Sequence, residues 1–220
     1  MVNGNPQNPL DTLAATVGYK ARHCLDSDVL SDFIRDAVVR TAGAHQTGVV
    51  DPTPSVRLFE PADAAPLTEL LHVAYAELGA MGLNYTAVDQ DVETTLVRAT
   101  GGRCWVVELD GELVATLTMT LPPASGIIAL TAEARVAGRA WLNQVAVSPG
   151  LRQSGIAGRL WQLAQQWAAE QGATSVGVDT AVPAEHLVLL YKRWGFAERT
   201  IIHWEGKTYN SVVMTKNLRE

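Results

Sequence analysis

Residues 145–158 read VAVSPGLRQSGIAG, and this stretch decides the fold. It runs from an apolar, strand-like segment through a turn that contains proline and glycine. Residues with helical spacing follow, and their apolar members recur on one side: Ile156, Leu160, Leu163, Ala164 and Trp167. A helix with one apolar side can lie on a sheet, with its N-terminus fixed beside the preceding strand. The stretch therefore predicts a strand, a turn and a helix packed on one sheet.

The turn has the properties of a phosphate cradle. The first amides of a helix lack intrahelical partners and point at one spot, where the helix dipole adds positive potential. A Walker A loop is excluded because Ile156, and not Lys, follows Gly155. A dinucleotide fingerprint is excluded because Gln153 stands where its first glycine belongs. An ordinary strand-turn-helix junction remains the structural alternative.

A third pattern fits, and it is the segment Arg152-Gln-Ser-Gly-Ile-Ala157. With VAVSP before it and a long helix after it, this segment resembles the GNAT superfamily of acyl-CoA-dependent N-acyltransferases. The resemblance implies that the turn and first helical turn bind the pyrophosphate of coenzyme A, and that the strand before them pairs with the pantetheine arm. The implied cofactor-binding residues are Val145, Ala146, Val147, Arg152, Gln153, Ser154, Gly155, Ile156, Ala157, Gly158 and Arg159.

A second motif, Leu189-Leu-Tyr-Lys-Arg-Trp-Gly-Phe196, resembles the LYxxxGF signature of the same family. The resemblance implies that Tyr191 acts as general acid toward the departing coenzyme A thiolate. A hydroxyl close to that sulfur can donate a proton as negative charge develops on it. The alternative is a tyrosine that packs in the core with its hydroxyl at the rim.

The chain departs from the family pattern at two positions. Ala184 stands where an asparagine often contacts the cofactor, and Trp141 stands where many members carry a carboxylate that serves as base. The base is therefore unassigned. Strand alternation puts Trp141, Asn143, Val145 and Val147 on one face. Asn143 is a candidate catalytic residue that orients the amine or a water, or else an amide satisfied by a neighbouring loop.

The remainder of the chain from residue 54 to 220 predicts a mixed, mostly antiparallel central sheet flanked by helices. Asp110-Gly111 is a hairpin signal between two of its strands. Residues 124–139 are predicted to form a loop. Strands are predicted at 56–59, 104–109, 113–120, 140–147, 175–179, 199–204 and 211–215, and helices at 62–78, 89–99, 155–171 and 184–193.

The sequence predicts that residues 1–53 form an N-terminal extension with a linker and one amphipathic helix at 26–42. We expect its apolar face to dock on the enzyme or on a second subunit, since a lone amphipathic helix cannot bury that face. A homodimer is the expected assembly, because dimers are common among small enzymes.

Composition restricts the partners. The formal net charge of −6 comes from 17 Lys and Arg against 23 Asp and Glu, so no basic field is available for nucleic acid. Only two cysteines are present, outside metal-ligand spacing, and no metal is expected. The chain lacks a leader pattern and any run of about 18 apolar residues, which predicts a cytoplasmic protein without a membrane contact.

These observations predict an N-acetyltransferase that moves the acetyl group of acetyl-CoA to a primary amine of a small molecule or peptide. Cys104 lacks a nearby cation or helix N-terminus, so direct attack in a ternary complex is preferred over an acyl-cysteine. The alternatives are a non-catalytic acyl-CoA sensor or scaffold, and an acyltransferase with a longer donor. Asn84, Tyr85 and Trp141 are the candidate acceptor-binding residues, although each also suits a helix cap or a surface position.

Overall fold

The computed structural model describes residues 54–218, and the helix predicted at 26–42 lies outside the described residues. Seven strands form one sheet in the order β1-β2-β3-β4-β5-β7-β6, in which only β4 and β5 are parallel neighbours. The predicted mixed, mostly antiparallel sheet flanked by helices is confirmed. The strands are β1 (Ser55–Leu58), β2 (Arg103–Leu109), β3 (Glu112–Thr120), β4 (Arg139–Val147), β5 (Ser175–Ala181), β6 (Ala197–His203) and β7 (Asn210–Asn217).

Six α-helices connect these strands, with 3-10 turns at residues 61–63, 132–135 and 149–151. Two sequence expectations need correction. The helix predicted from residue 89 begins at Val92, because the Asp91 side chain caps it by accepting from the Thr94 N–H at 2.8 Å. The expected loop at 124–139 contains a helix. The helices are α1 (Ala64–Ala80), α2 (Thr86–Asp89), α3 (Val92–Thr100), α4 (Ser125–Leu130), α5 (Ile156–Glu170) and α6 (Glu185–Arg193).

The sheet carries a core on each face. On one face, Leu160 of α5 packs with Leu117 of β3, and both are fully buried. On the other face, Leu71 of α1 packs with Val106 of β2. Burial of each such side chain stabilises the fold by about 1.5–3 kcal/mol. The helix that follows the decisive stretch therefore lies on the opposite face of the sheet from α1 and α3.

The parallel pair β4–β5 separates soon after it begins. Pairing covers only three positions and ends where Trp141 meets Gly177. The indole of Trp141 lies over the backbone of Gly177, so closely that a Cβ atom on this glycine would be 2.2 Å from Cζ3 of the ring. Glycine is required here for close approach, and beyond this contact the two strands diverge.

β4 also contains a bulge. Two of its residues, Gln144 and Val145, oppose the single residue Leu117 of β3. Gln144 has a φ of 43°, in the left-handed region that residues other than glycine rarely adopt. A bulge of this kind bends the strand and redirects the residues that follow.

The predicted alternation along β4 is wrong beyond Asn143. Val145 and Val147 pack against the core that contains Leu142, whereas Trp141 packs in a different cluster. The extra residue of the bulge shifts each later side chain to the opposite face, since strand side chains alternate with a period of two.

The contact between Trp141 and Gly177 predicts a stability effect. Gly177→Ala should lower the free energy of unfolding by about 1–3 kcal/mol, because the indole has to move to admit a methyl group. Gly150→Ala is the control, since a Cβ there meets no atom within 4 Å. Urea unfolding of both variants measures the effect, and equal transition midpoints would show that the indole yields without cost.

Candidate active site

A cavity of about 430 Å³ opens where β4 and β5 separate. Its volume lies in the range of small-molecule sites. The walls come from β4, β5, α1 to α3, α6 and the loop between β6 and β7. Asn143, Asp179 and Tyr191 all line this space.

Tyr191 reaches the cavity from α6. Its ring is buried against Trp194 and Phe196, with centroids 5.7 and 5.9 Å away. Burial raises the pKa of Tyr191 well above its ordinary value, and no hydrogen bond within residues 54–218 occupies its hydroxyl. The group is therefore protonated at neutral pH and available as a donor at the cavity wall.

Asp179 on β5 is a further candidate functional residue, which the sequence did not reveal. Its carboxylate accepts from the indole N–H of Trp141 at 3.2 Å and from that of Trp204 at 2.8 Å. Burial raises the pKa of Asp179, and these hydrogen bonds oppose that rise. One acidic residue in the apolar run Ser175-Val-Gly-Val-Asp was the available signal, because a buried polar group requires partners.

Asn143 lies at the bulge in β4, half-buried in the cavity wall. Its amide nitrogen donates to the carbonyl of Trp141 at 3.2 Å and approaches the hydroxyl of Thr120 at 3.4 Å. The partners belong to β3 and β4, and not to a loop. These contacts fix the plane of the amide at the start of the bulge.

The bulge is held from the opposite side by α1. The hydroxyl of Tyr75 donates to the carbonyl oxygen of Val145 at 3.1 Å. Next to it, Gln144 is buried, and both polar atoms of its side chain lack a partner within the described part of the chain. The backbone of β4 is thus anchored to α1 at the point where β5 has moved away.

The segment predicted to be a phosphate cradle lies at the N-terminus of α5. Gly155 precedes the helix with a φ of 90°, and the first helical bond runs from the Arg159 N–H to the Gly155 carbonyl at 3.1 Å. The amides of residues 156–158 lie before that bond, so the helix cannot satisfy them. A Cβ atom at Gly155 or Gly158 would meet no atom within 4 Å. The cradle is open in front of the backbone.

The two arginines of the turn have protein partners. The guanidinium of Arg152 pairs with Glu77 at 2.7 Å and donates to the carbonyl of Ala74 at 2.8 Å. Arg159 donates to the side chain of Gln162 at 2.9 Å. Arg152 therefore connects the turn to the C-terminal part of α1, and a direct role of either arginine toward phosphate stays a prediction.

The three candidate acceptor residues have different positions. The rings of Tyr85 and Trp141 line the cavity, and the Tyr85 hydroxyl accepts from the backbone N–H of Ala181 at 2.8 Å. Asn84 is not part of the cavity wall. Its amide donates to the carbonyl of Gly206 at 2.9 Å, so it connects the segment after α1 to the loop between β6 and β7.

Residues 54–218 contain no group of three or more His, Cys, Asp or Glu side chains arranged to hold a metal ion. Within the same residues, none of the helices combines the length and the apolar character needed to cross a membrane.

Comparison with known proteins is consistent with this geometry. The model of the acetyltransferase (GNAT) family matches residues 67–196. A relative from Bacillus subtilis (strain 168), S-(2-succino)cysteine N-acetyltransferase, is 27% identical over 168 residues, which cover 76% of this chain and 97% of the relative.

Two solved structures share the fold. One is the ribosomal-protein-S18-alanine N-acetyltransferase from Escherichia coli, with a TM-score of 0.57, 13% identity, and coverage of 76% of this chain and 96% of the other. The second is PaiA N-acetyltransferase from Thermoplasma acidophilum in complex with coenzyme A, with a TM-score of 0.58, 13% identity, and coverage of 75% and 99%.

The proposed cradle predicts that two substitutions with equal effects on stability differ in their effects on coenzyme A binding. Gly155 and Gly172 flank opposite ends of α5 with φ of 90° and 86°, and neither would bring a Cβ within 4 Å of another atom. Alanine at either position should cost about 1–3 kcal/mol of stability through the same backbone strain. Only Gly155→Ala should weaken coenzyme A binding in calorimetric titration. Equal affinities of the two variants would contradict the cradle.

Proposed function

The chain belongs to the acetyltransferase (GNAT) family, and from this premise we propose that it transfers an acetyl group from acetyl-CoA to a primary amine by direct attack. The observation that carries the proposal is the cavity between β4 and β5, where the hydroxyl of the buried Tyr191 and the carboxylate of Asp179 line one space. A cradle of helix amides begins a few residues after the end of β4.

The donor site combines two backbone features. The amides at the N-terminus of α5 are suited to the pyrophosphate of the donor. The edge of β4 that faces away from β3 has no β5 partner beyond Trp141, which leaves backbone groups near Val145 and Val147 for an extended pantetheine arm. Strand-like pairing with an exposed sheet edge is a common way to bind an extended ligand.

Two side chains supply the proton transfers. The amine nitrogen attacks the thioester carbonyl carbon, a C–N bond forms and the C–S bond breaks. Asp179 accepts the proton that the nitrogen loses, and Tyr191 gives a proton to the departing sulfur. The proton returns from Asp179 to Tyr191 through solvent, so the products are the N-acetyl amine and the coenzyme A thiol.

The activity of the Bacillus subtilis relative guides the choice of acceptor. We include S-(2-succino)cysteine as the first amine to test, because the alignment with that relative covers 76% of this chain. Acetyl-CoA is compared with longer acyl-CoA donors. Tight coenzyme A binding without turnover for a panel of amines would favour the sensor or scaffold function instead.

The role of Tyr191 predicts a loss of chemistry with intact donor binding. Tyr191→Phe should lower kcat at least about 100-fold, since only the proton donor is removed, while KM for acetyl-CoA changes little. The comparison is Tyr209→Phe, which removes the hydroxyl of another buried tyrosine that lines the same cavity and should lower kcat much less. Thiol release from acetyl-CoA reports turnover, and an undiminished kcat for Tyr191→Phe would remove the assigned role.

The role of Asp179 predicts a pH dependence. The carboxylate must be ionised to accept a proton, so kcat/KM should rise with pH through the pKa of Asp179, which burial raises from its ordinary value. Asp179→Asn should lower kcat and abolish the inflection that Asp179 causes in the pH profile. The inflection caused by titration of the amine substrate should remain. Glu198→Gln, an equal change of charge at the salt bridge with Lys192, is the control. An unaltered profile in Asp179→Asn would assign the base elsewhere.

A further inference from the structure

Two cationic side chains line the cavity beside the proposed reaction site. Arg98 extends from α3 and Lys207 from the loop between β6 and β7, and both are half-buried. Within residues 54–218, neither lies within 4.0 Å of a carboxylate oxygen. Among the described residues that line the cavity, Asp179 is the only acidic one. The wall therefore carries more positive than negative charge.

The hydrogen-bond partners of these cations are neutral. Arg98 donates to the amide oxygen of Gln90 at 2.6 Å. Lys207 donates to the carbonyl of Asn84 at 2.7 Å and to the hydroxyl of Thr86 at 3.1 Å. Burial lowers the pKa of both cations, although acidic groups act against this change for each of them. A desolvated cation without an ionic partner is costly, and an anionic ligand would offset that cost.

Arg98 and Lys207 lie away from the phosphate cradle. Ala99, next to Arg98, packs in the core with Cys104 and Val106, on the face of the sheet opposite α5. Lys207 contacts the segment between α1 and α2. The donor pyrophosphate is assigned to the N-terminus of α5, so these side chains are available to the acceptor.

We propose that Arg98 and Lys207 bind a carboxylate of the acceptor, which is therefore an amine with at least one carboxylate group, as in an amino-acid derivative. This inference rests on the proposed function. The amine lies toward Asp179 and the carboxylate toward Arg98 and Lys207. Guanidinium and ammonium donors form charge-assisted hydrogen bonds with carboxylates, so a neutral amide in the same place binds more weakly.

The test uses matched acceptors that differ in one carboxylate. S-(carboxymethyl)cysteine is compared with S-(carbamidomethyl)cysteine and with the α-amide of S-(carboxymethyl)cysteine. For the wild type, at least one of the two amide replacements should lower kcat/KM roughly tenfold or more, mainly through KM. Arg98→Met and Lys207→Met should bring the ratio of kcat/KM between the carboxylate acceptor and its amide toward one, whereas Arg98→Lys should retain part of this preference.

Lys192→Met is the matched control, because it removes an exposed cation that pairs with Glu198 outside the cavity, and it should keep the full preference. Equal losses for charged and neutral acceptors in both methionine variants would assign a structural role to the cations and overturn the inference. If Arg98→Met fails to fold, Lys207→Met provides the same comparison from a different element.

Binding measurements distinguish the failure of the inference from that of the proposed function. Calorimetric titration of the three acceptors, with coenzyme A present, compares their affinities without turnover. Preferential binding of the carboxylate form without acetylation would support the inference and contradict the transferase activity. Acetylation of all three acceptors at equal efficiency would support the activity and overturn the inference.

Discussion

The contact between Trp141 and Gly177 is the interaction on which the candidate site depends. The indole fills the space that a side chain would need at position 177, and pairing of β4 with β5 ends at this contact. The cavity begins where the pairing ends. The same indole donates to Asp179, so one side chain both marks the separation of the strands and orients the carboxylate between them.

Burial then sets the protonation of the two proposed catalytic groups. Removal of water disfavours the charged form of each, so the pKa values of Tyr191 and Asp179 both rise. The consequences differ because the starting values differ. The tyrosine stays protonated to higher pH, whereas the carboxylate becomes a stronger base when it is ionised. One apolar environment thus produces an acid and a base, and the two indole hydrogen bonds limit how far the pKa of Asp179 rises.

The parts of the site that the sequence predicted are local, and the parts that it did not predict depend on distant residues. The cradle at Gly155 and the helix with Tyr191 each lie within one short segment, where motif and spacing suffice. Asp179 accepts a hydrogen bond from Trp204, 25 residues away, and Asn84 accepts one from the backbone of Thr208, 124 residues away. The alternation along β4 was mispredicted because a bulge depends on the neighbouring strand, and no local signal distinguishes Gln144 from an ordinary strand residue.

In the proposed function, the donor and the acceptor are recognised by different kinds of charge. The cradle uses backbone amides and the helix dipole, which are fixed by the fold and unaffected by pH. The acceptor site uses the cationic side chains of Arg98 and Lys207, although the chain as a whole has a net charge of −6. An acidic protein that keeps two cations without ionic partners in one small cavity pays a desolvation cost in the free state. An anionic ligand offsets that cost, so the same arrangement that attracts a carboxylate-bearing amine also discriminates against a neutral amine of equal size.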